Sequence, residues 1–406
     1  MKKLLLLTIT LFFVGQTIKA QTVVLDPNGV TIKWTGTTVP SPYFIQANPR
    51  GTGMEWFAIV DNSTKGNITD YARNIQAGIT YFTPSSESTP IPFNNIVTTL
   101  VTNMQSLLSS TDTFNQPIGS WDVSNVTYMR EMFSLASAFN QPIGSWDVSN
   151  VTDMSNMFEL DYAFNQPIGS WNVSNVTTMG DMFFEATAFN QPIGSWNVGN
   201  VTYMGNMFRE AIAFNQPIGT WNVSNVFYMS RMFYNATSFN QNIGYWNIGN
   251  VWGMNEMFLN AGLSTSNYDN LLIGWSTISP NESALTPNVV FSAGNSKYCN
   301  GAAARNAIIS TYGWTILDGG LDCSLDTEEF DINRLNLYPN PVISVLNVKT
   351  DYNLTNQTYT IVDGLGRVIL NGKLNEVVIT INVEQLSKGI YYLKLSDKIA
   401  SKFIKE

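Results

Sequence analysis

A phrase of 25 residues recurs six times without insertion or deletion, starting at Phe114, Phe139, Phe164, Phe189, Phe214 and Phe239. Its first copy reads FNQPIGSWDVSNVTYMREMFSLASA. A fixed period of this size makes each copy one structural unit that packs only on its neighbours, the condition for a solenoid. Two spacings alternate inside the phrase. Ile118, Trp121 and Val123, with Ser120, Asp122 and Ser124 on the opposite side, predict a short strand. Val126, Met129, Met132, Phe133 and Ala136 then fall three or four apart and predict one face of a short helix. Pro117 stops any helix on the return, where Asn and Gln side chains satisfy turn backbone. The expectation is an α/β repeat solenoid of parallel strands plus short helices. Because Trp, Met and Phe recur in every copy, they are expected as a close-packed core and not as a local ligand box.

The flanks divide the chain further. MKKLLLLTITLFFVGQTIKA has two lysines, an apolar run and a small-residue end, which predicts a signal peptide over 1–20 cleaved between Ala20 and Gln21. Residues 21–88 lack the phrase and are expected to cap the stack, with strands at VVLDPNGVTIKW, EWFAIVD and AGITYFTP and a helix at ITDYARNI. The repeat region is set at 89–260, because Val101, Met104, Leu107 and Leu108 precede Val126, Met129, Met132 and Phe133 by 25 residues. A C-terminal cap follows over 261–323, with a helix near 301–312 and a strand near Trp314, then an acidic linker over 324–334. Residues 335–406 switch to short alternating strands parted by Asn-Pro, Asp-Gly and Lys-Gly turns, a small all-β sandwich.

Composition excludes more than it selects. With 21 basic and 30 acidic residues, a formal charge of −9 and only 13% charged residues, the surface repels phosphate backbones, so nucleic acid is not an expected partner. No apolar stretch after the leader is long enough for a membrane span. The absence of histidine removes the commonest general base and metal ligand, and with them the Ser/His/Asp and Cys/His sets. No cofactor and no metal site is expected. In an exported chain Cys299 and Cys323 form one disulfide or remain two buried thiols.

The repeated phrase FNQPIGSWDVSNVTYMREMF resembles the BspA-like leucine-rich-repeat surface proteins across about residues 89–323, with Trp and Met in place of most leucines. That resemblance implies a leucine-rich-repeat-like solenoid with Ile118, Trp121 and Val123 inward, and adhesion to host or environmental macromolecules. The tail, with LYPNPVISVLNV, IVDGLGRVI, LSKGIYYLKL and KFIKE, resembles the C-terminal sorting domain of the bacterial type IX secretion system. It implies delivery across the outer membrane by a machinery confined to Bacteroidetes, hence a secreted or cell-surface location.

Residues between the inward strand positions define the expected ligand face: Ser120, Asp122, Ser145, Asp147, Ser170, Asn172, Ser195, Asn197, Asn222 and Asn247. Hydroxyls, amides and carboxylates at a regular spacing can hydrogen-bond a glycan or matrix protein through many weak contacts. The same side chains also serve simply to saturate turns. A calcium ladder is disfavoured because Asp gives way to Asn along the column. Glu131, Asp181 and Glu256 are expected to be solvated. The expected function is non-enzymatic adhesion or macromolecule binding. The alternatives are a structural surface-layer component and an exported glycan-active enzyme using carboxylates such as Glu55 and Asp61.

Overall fold

The computed structural model describes residues 22–278, 283–323, 335–350, 358–363, 367–373, 378–395 and 398–406. The leader with its Ala20 and Gln21 junction and the linker 324–334 lie outside them. The chain divides into two compact units, Met1–Cys323 and Ser324–Glu406.

In the first unit the repeats lie one on the next in parallel. Single β-bridges link Asn103, Tyr128, Asp153, Thr178, Tyr203, Tyr228 and Gly253 in succession. The expected α/β leucine-rich-repeat solenoid is not what forms. Residues 101–264, all of them described, contain no strand and no helix, only tight turns and one bridge residue per repeat, with a second, Met254, in the last. The named elements elsewhere make mostly small β sheets with few helices.

Hydrogen bonding explains the difference. The amides of Met129, Glu131, Phe133 and Leu135 donate to carbonyls of Asp153, Ser155, Met157 and Glu159 in the next repeat, at 2.8–3.0 Å. The intervening amides of Met132, Ser134 and Ala136 bond three residues back. No i→i−4 ladder can coexist with this pattern, and Glu131 (φ 57°) and Leu135 (φ 62°) adopt left-handed backbone that ends right-handed helix. The same positions are left-handed in each later repeat. A train of tight turns returns side chains to one face every three or four residues, as a helix does. That is why Met129, Met132, Phe133 and Ala136 are buried although the backbone is not helical. The expected strand at 118–123 is likewise a pair of turns, closed by Trp121 N–H to Ile118 and Val126 N–H to Val123.

Side chains complete what the sparse backbone pairing leaves. Phe114, Phe139 and Phe164 stack at 6.1 Å, and Trp121 lies on Trp146 at 6.4 Å with rings 3° from parallel. Each indole N–H reaches back one repeat: Trp146 to Ile118 O at 3.3 Å, Trp171 to Ile143 O at 3.2 Å and Trp196 to Ile168 O at 3.1 Å. Outside the core, Asn115 accepts from Asn140 N–H and from Gln141 Nε2, and this clasp recurs down to Asn240 and Gln241. One hydrophobic core runs from Ala58 to Ile316.

The first end is covered by a hairpin, β1 (Val23–Leu25) and β2 (Ile32–Trp34), and by a sheet ordered β3 (Phe44–Ala47), β4 (Glu55–Asp61), β5 (Ile96–Leu100). Strands β3 and β4 are antiparallel and β4 and β5 parallel. Helices α1 (Gly66–Ala72) and α2 (Gln76–Tyr81) connect β4 to β5. The strand expected at AGITYFTP is therefore α2. Tertiary packing overrides its Thr, Tyr and Phe content: Tyr81 stacks on Tyr43 at 4.6 Å and Phe82 is fully buried.

The other end carries α3 (Thr265–Ser276), β6 (Val290–Ser292), α4 (Ala302–Tyr312) and β7 (Thr315–Leu317), with β6 and β7 parallel. Trp275, though on a helix, donates its indole N–H to Ile243 O as the repeat tryptophans do. Asp269 caps α4 by accepting from the amides of Cys299, Asn300 and Gly301. Cys299 and Cys323 form a disulfide.

The second unit holds two antiparallel sheets. One is ordered β12 (Val378–Asn382), β9 (Val345–Thr350), β8 (Leu335–Tyr338). The other is β11 (Val368–Lys373), β10 (Thr358–Asp363), β13 (Gly389–Leu395), β14 (Lys398–Lys405). Leu346, Val348, Ile361, Ile381, Leu393 and Phe403 meet in their shared core.

Candidate functional site

The polar columns stand on turns, and the turns dictate what each atom does. In Asp147, Asn172, Asn197, Asn222 and Asn247, side-chain Oδ1 accepts the amide of the residue two positions on, at 3.1–3.2 Å. This is the local bond that makes Asx residues favour turns. The Ser145, Ser170 and Ser195 hydroxyls donate to carbonyls of Gly119, Gly144 and Gly169 in the preceding repeat. These serines are tie points between repeats, and their exposure is secondary to that. Asp147, Asn172, Asn197 and Asn222 are exposed, and Asn247 is half-buried.

The first repeat departs from the expected face. Ser120 and Asp122 are buried, at 6% and 2% exposure. Ser120 O accepts from Ile32 N–H of β2, its hydroxyl donates to Asn94 O, and Asp122 O accepts from Thr98. The N-terminal hairpin and sheet must cover the first repeat because its apolar end cannot face water. The column available to a ligand therefore begins at Asp147. Lys33 stands beside it: its hydrogen bond to Asp26 raises its pKa, and the charges of Asp122 and Asp147 add to the shift.

The carboxylates considered for enzymatic work do not meet. Glu55 and Asp61 sit at opposite ends of β4, six residues apart, or about 20 Å at strand rise. Paired glycosidase carboxyls lie within roughly 10 Å. Burial would raise both, yet hydrogen bonds outweigh it and hold both below the usual carboxylate range. Glu55 is held by Asn95, Arg50 and Thr52, and Asp61 by Ser63 and Thr64.

On the side of the repeats lined by the bridge residues, Asp181 is half-buried and not freely solvated. Burial raises its pKa to about 6, and the nearby Glu159 adds to the shift. Glu131 and Glu256 remain partly exposed in ion pairs with Arg130 and Arg231. In the repeat starting at Phe139, Asp161 replaces the alanine found at 136, 186, 211, 236 and 261. It is fully buried with no side chain paired to its carboxyl; the nearby Ala163 and Phe164 amides act to lower its pKa, but burial outweighs them and pushes it up to about 9.

The last repeats also depart from the phrase in ways a search for regularity passes over. Phe227 and Trp252 stand where earlier copies have Thr127, Thr152, Thr177 and Thr202. They are exposed and stack at 6.2 Å. Tyr203 and Tyr228 stack at 5.0 Å over Gly205 and Gly253, where a Cβ would come within 2.9 Å of a tyrosine ring. Subtracting the common phrase from each copy would have singled these residues out.

Comparison with known families accounts for both units. Residues 80–187 and 161–271 match the family described as Mycoplasma protein of unknown function, DUF285, so DUF285 repeat domains are present. Residues 336–406 match the secretion system C-terminal sorting domain. No curated protein and no solved structure matches the chain. The tail thus defines the class: a secreted or cell-surface protein that engages the type IX secretion system through its C-terminal unit. Among the described residues no helix is long and apolar enough to cross a membrane.

Proposed function

We propose that this is a non-enzymatic binding protein of the cell exterior. Its column from Asp147 to Asn222 holds an extracellular macromolecule, a glycan or a matrix protein. One observation carries the reading: these four exposed side chains each commit one oxygen to their own turn. Their other polar atom is left for a ligand at a regular interval. Individually weak hydrogen bonds along a polymer add through effective concentration. Further support comes from the sorting tail and from the resemblance of the repeated phrase to BspA-like surface proteins, a resemblance of sequence and not of fold.

The test is attachment of the full chain to a glycan and matrix-protein array. Replacing Asp147, Asn172, Asn197 and Asn222 together by Ala should weaken attachment. Because Ala also removes the turn bonds, the pair Asn172→Asp and Asn197→Asp serves as the control: it keeps the accepting oxygen and turns the outward donor into a charged acceptor. Attachment that survives both series sinks the reading. Self-association without any foreign polymer supports a structural surface-layer role instead.

A further inference from the structure

A cleft of about 560 Å³ opens where the last repeats meet β6 and β7, lined by Asn206, Tyr228, Ser230, Arg231, Asn255 and Glu256 among others. It falls within the roughly 300–1,000 Å³ typical of small-ligand sites. The position held by Arg130 in the first copy is small or short in every later one, Ser155, Gly180, Gly205, Ser230 and Asn255, and the last two of these line the cleft. Its wall is in part apolar, with Val290 and Leu317 41% and 54% exposed and the Tyr228 ring held between Tyr203 and Gly253.

Its polar equipment is specific. Arg231 and Glu256 are the charged lining groups and are paired with each other at 2.6 Å, so the lining carries no net charge. A phosphate, a carboxylate or an ammonium ligand would meet no unpaired counter-charge. Two lining atoms are buried without any partner: Asn206 Oδ1, an acceptor, and Ser230 Oγ, which both donates and accepts. Ser230 is only 5% exposed, and turning its hydroxyl between staggered rotamers re-aims it at no covalent cost. Buried polar groups left unpaired are costly, and a ligand that completes them gains that difference. Neutral donors and acceptors beside the aliphatic Val290 and Leu317 side chains match a neutral ligand that is hydroxylated at its edges and apolar on its faces.

We infer that this cleft is a binding site for a neutral saccharide. The sugar's C–H face lies on the exposed Val290 and Leu317 side chains, beside the edge of the Tyr228 ring, and its hydroxyls bond to Asn206, Ser230, Asn255 and the Arg231–Glu256 pair. The site lies apart from the Asp147–Asn222 column and does not depend on it.

The experiment titrates the full chain with cellobiose, maltose, lactose and xylobiose, with glucuronic acid and glucosamine as charged comparators. Heat of binding reports occupancy. At least one neutral disaccharide should bind. Asn255→Ala, at an exposed position outside the core, should weaken it about fivefold, the worth of one hydrogen bond. Asn255→Trp, which fills the cleft, should abolish it. No binding by any neutral disaccharide, preference for a charged comparator, or binding that survives Asn255→Trp overturns the inference.

Discussion

Replacing Asp161 by Ala should make this protein more stable, and by an amount that grows with pH. Burial of Asp161 outweighs what the nearby Ala163 and Phe164 amides contribute: no side chain pairs with its carboxyl and its pKa rises from 3.8 to about 9. In the unfolded chain the carboxyl ionises near 3.8, so above that pH folding must take up a proton. Each pH unit between the two pKa values therefore removes about 1.4 kcal/mol of stability. At pH 7 the interval is 7 − 3.8 = 3.2 units, or about 4 kcal/mol. The sign is opposite to that of a salt-bridged aspartate: the penalty is absent below pH 3.8, grows through neutrality and levels off above pH 9. Ala fits the space, because the equivalent Ala136, Ala186, Ala211 and Ala236 are fully buried in their own repeats. Urea denaturation of parent and Asp161→Ala at several pH values from 4 to 8 measures the difference directly. The two should nearly coincide at pH 4 and separate by several kcal/mol at pH 8. Asp161→Asn, which keeps shape but cannot titrate, should show the same pH-dependent separation. A difference between parent and variant that is flat with pH, or an Ala variant less stable at pH 8, refutes the argument.

Trp171→Phe retains a ring in the core but removes one of the two donors to Ile143 O, leaving the Trp146 amide at 3.1 Å, and should lower unfolding free energy by about 0.5–1.5 kcal/mol in the same assay. Asn165→Ala breaks the clasp to Asn190 N–H and Gln191, two bonds worth together about 1–3 kcal/mol. Hydrogen exchange of the Asn190 amide should rise ahead of global unfolding. Cys299→Ser releases a disulfide spanning 24 residues and should cost about 3 kcal/mol by loop entropy, seen as a lower melting temperature that reductant no longer shifts.

Much of the organisation was legible because it is local or periodic. The period itself placed Trp121, Trp146 and Trp171 at equivalent positions, and the three- and four-residue spacing named Met129, Met132, Phe133 and Ala136 as inward. In the cap, the helix expected near 301–312 is α4, since its alanine-rich segment ends at Gly313, which takes left-handed backbone. The tail's alternation of Leu346 and Val348 shows in the core between its two sheets. The candidate site was less legible. Asx side chains and serines recur at regular spacing in the sequence, yet only the structure shows that one oxygen of each is already engaged. Likewise, Ser120 and Asp122 read like their later equivalents and are nevertheless covered.

What the amino-acid order determined alone is which side chains turn inward and how many units follow one another, because both depend only on spacing along the chain. Tertiary structure decided how the backbone achieves it. The amides of Met129, Glu131, Phe133 and Leu135 can bond within a helix or to the neighbouring repeat, and the side-chain pattern is the same in either case. Stacked neighbours offer carbonyls at each of those amides, and this contact between distant residues selects turns over helix. The same logic holds for the cleft beside Tyr228 and for the buried Asp161, whose surroundings come from residues far off in the chain.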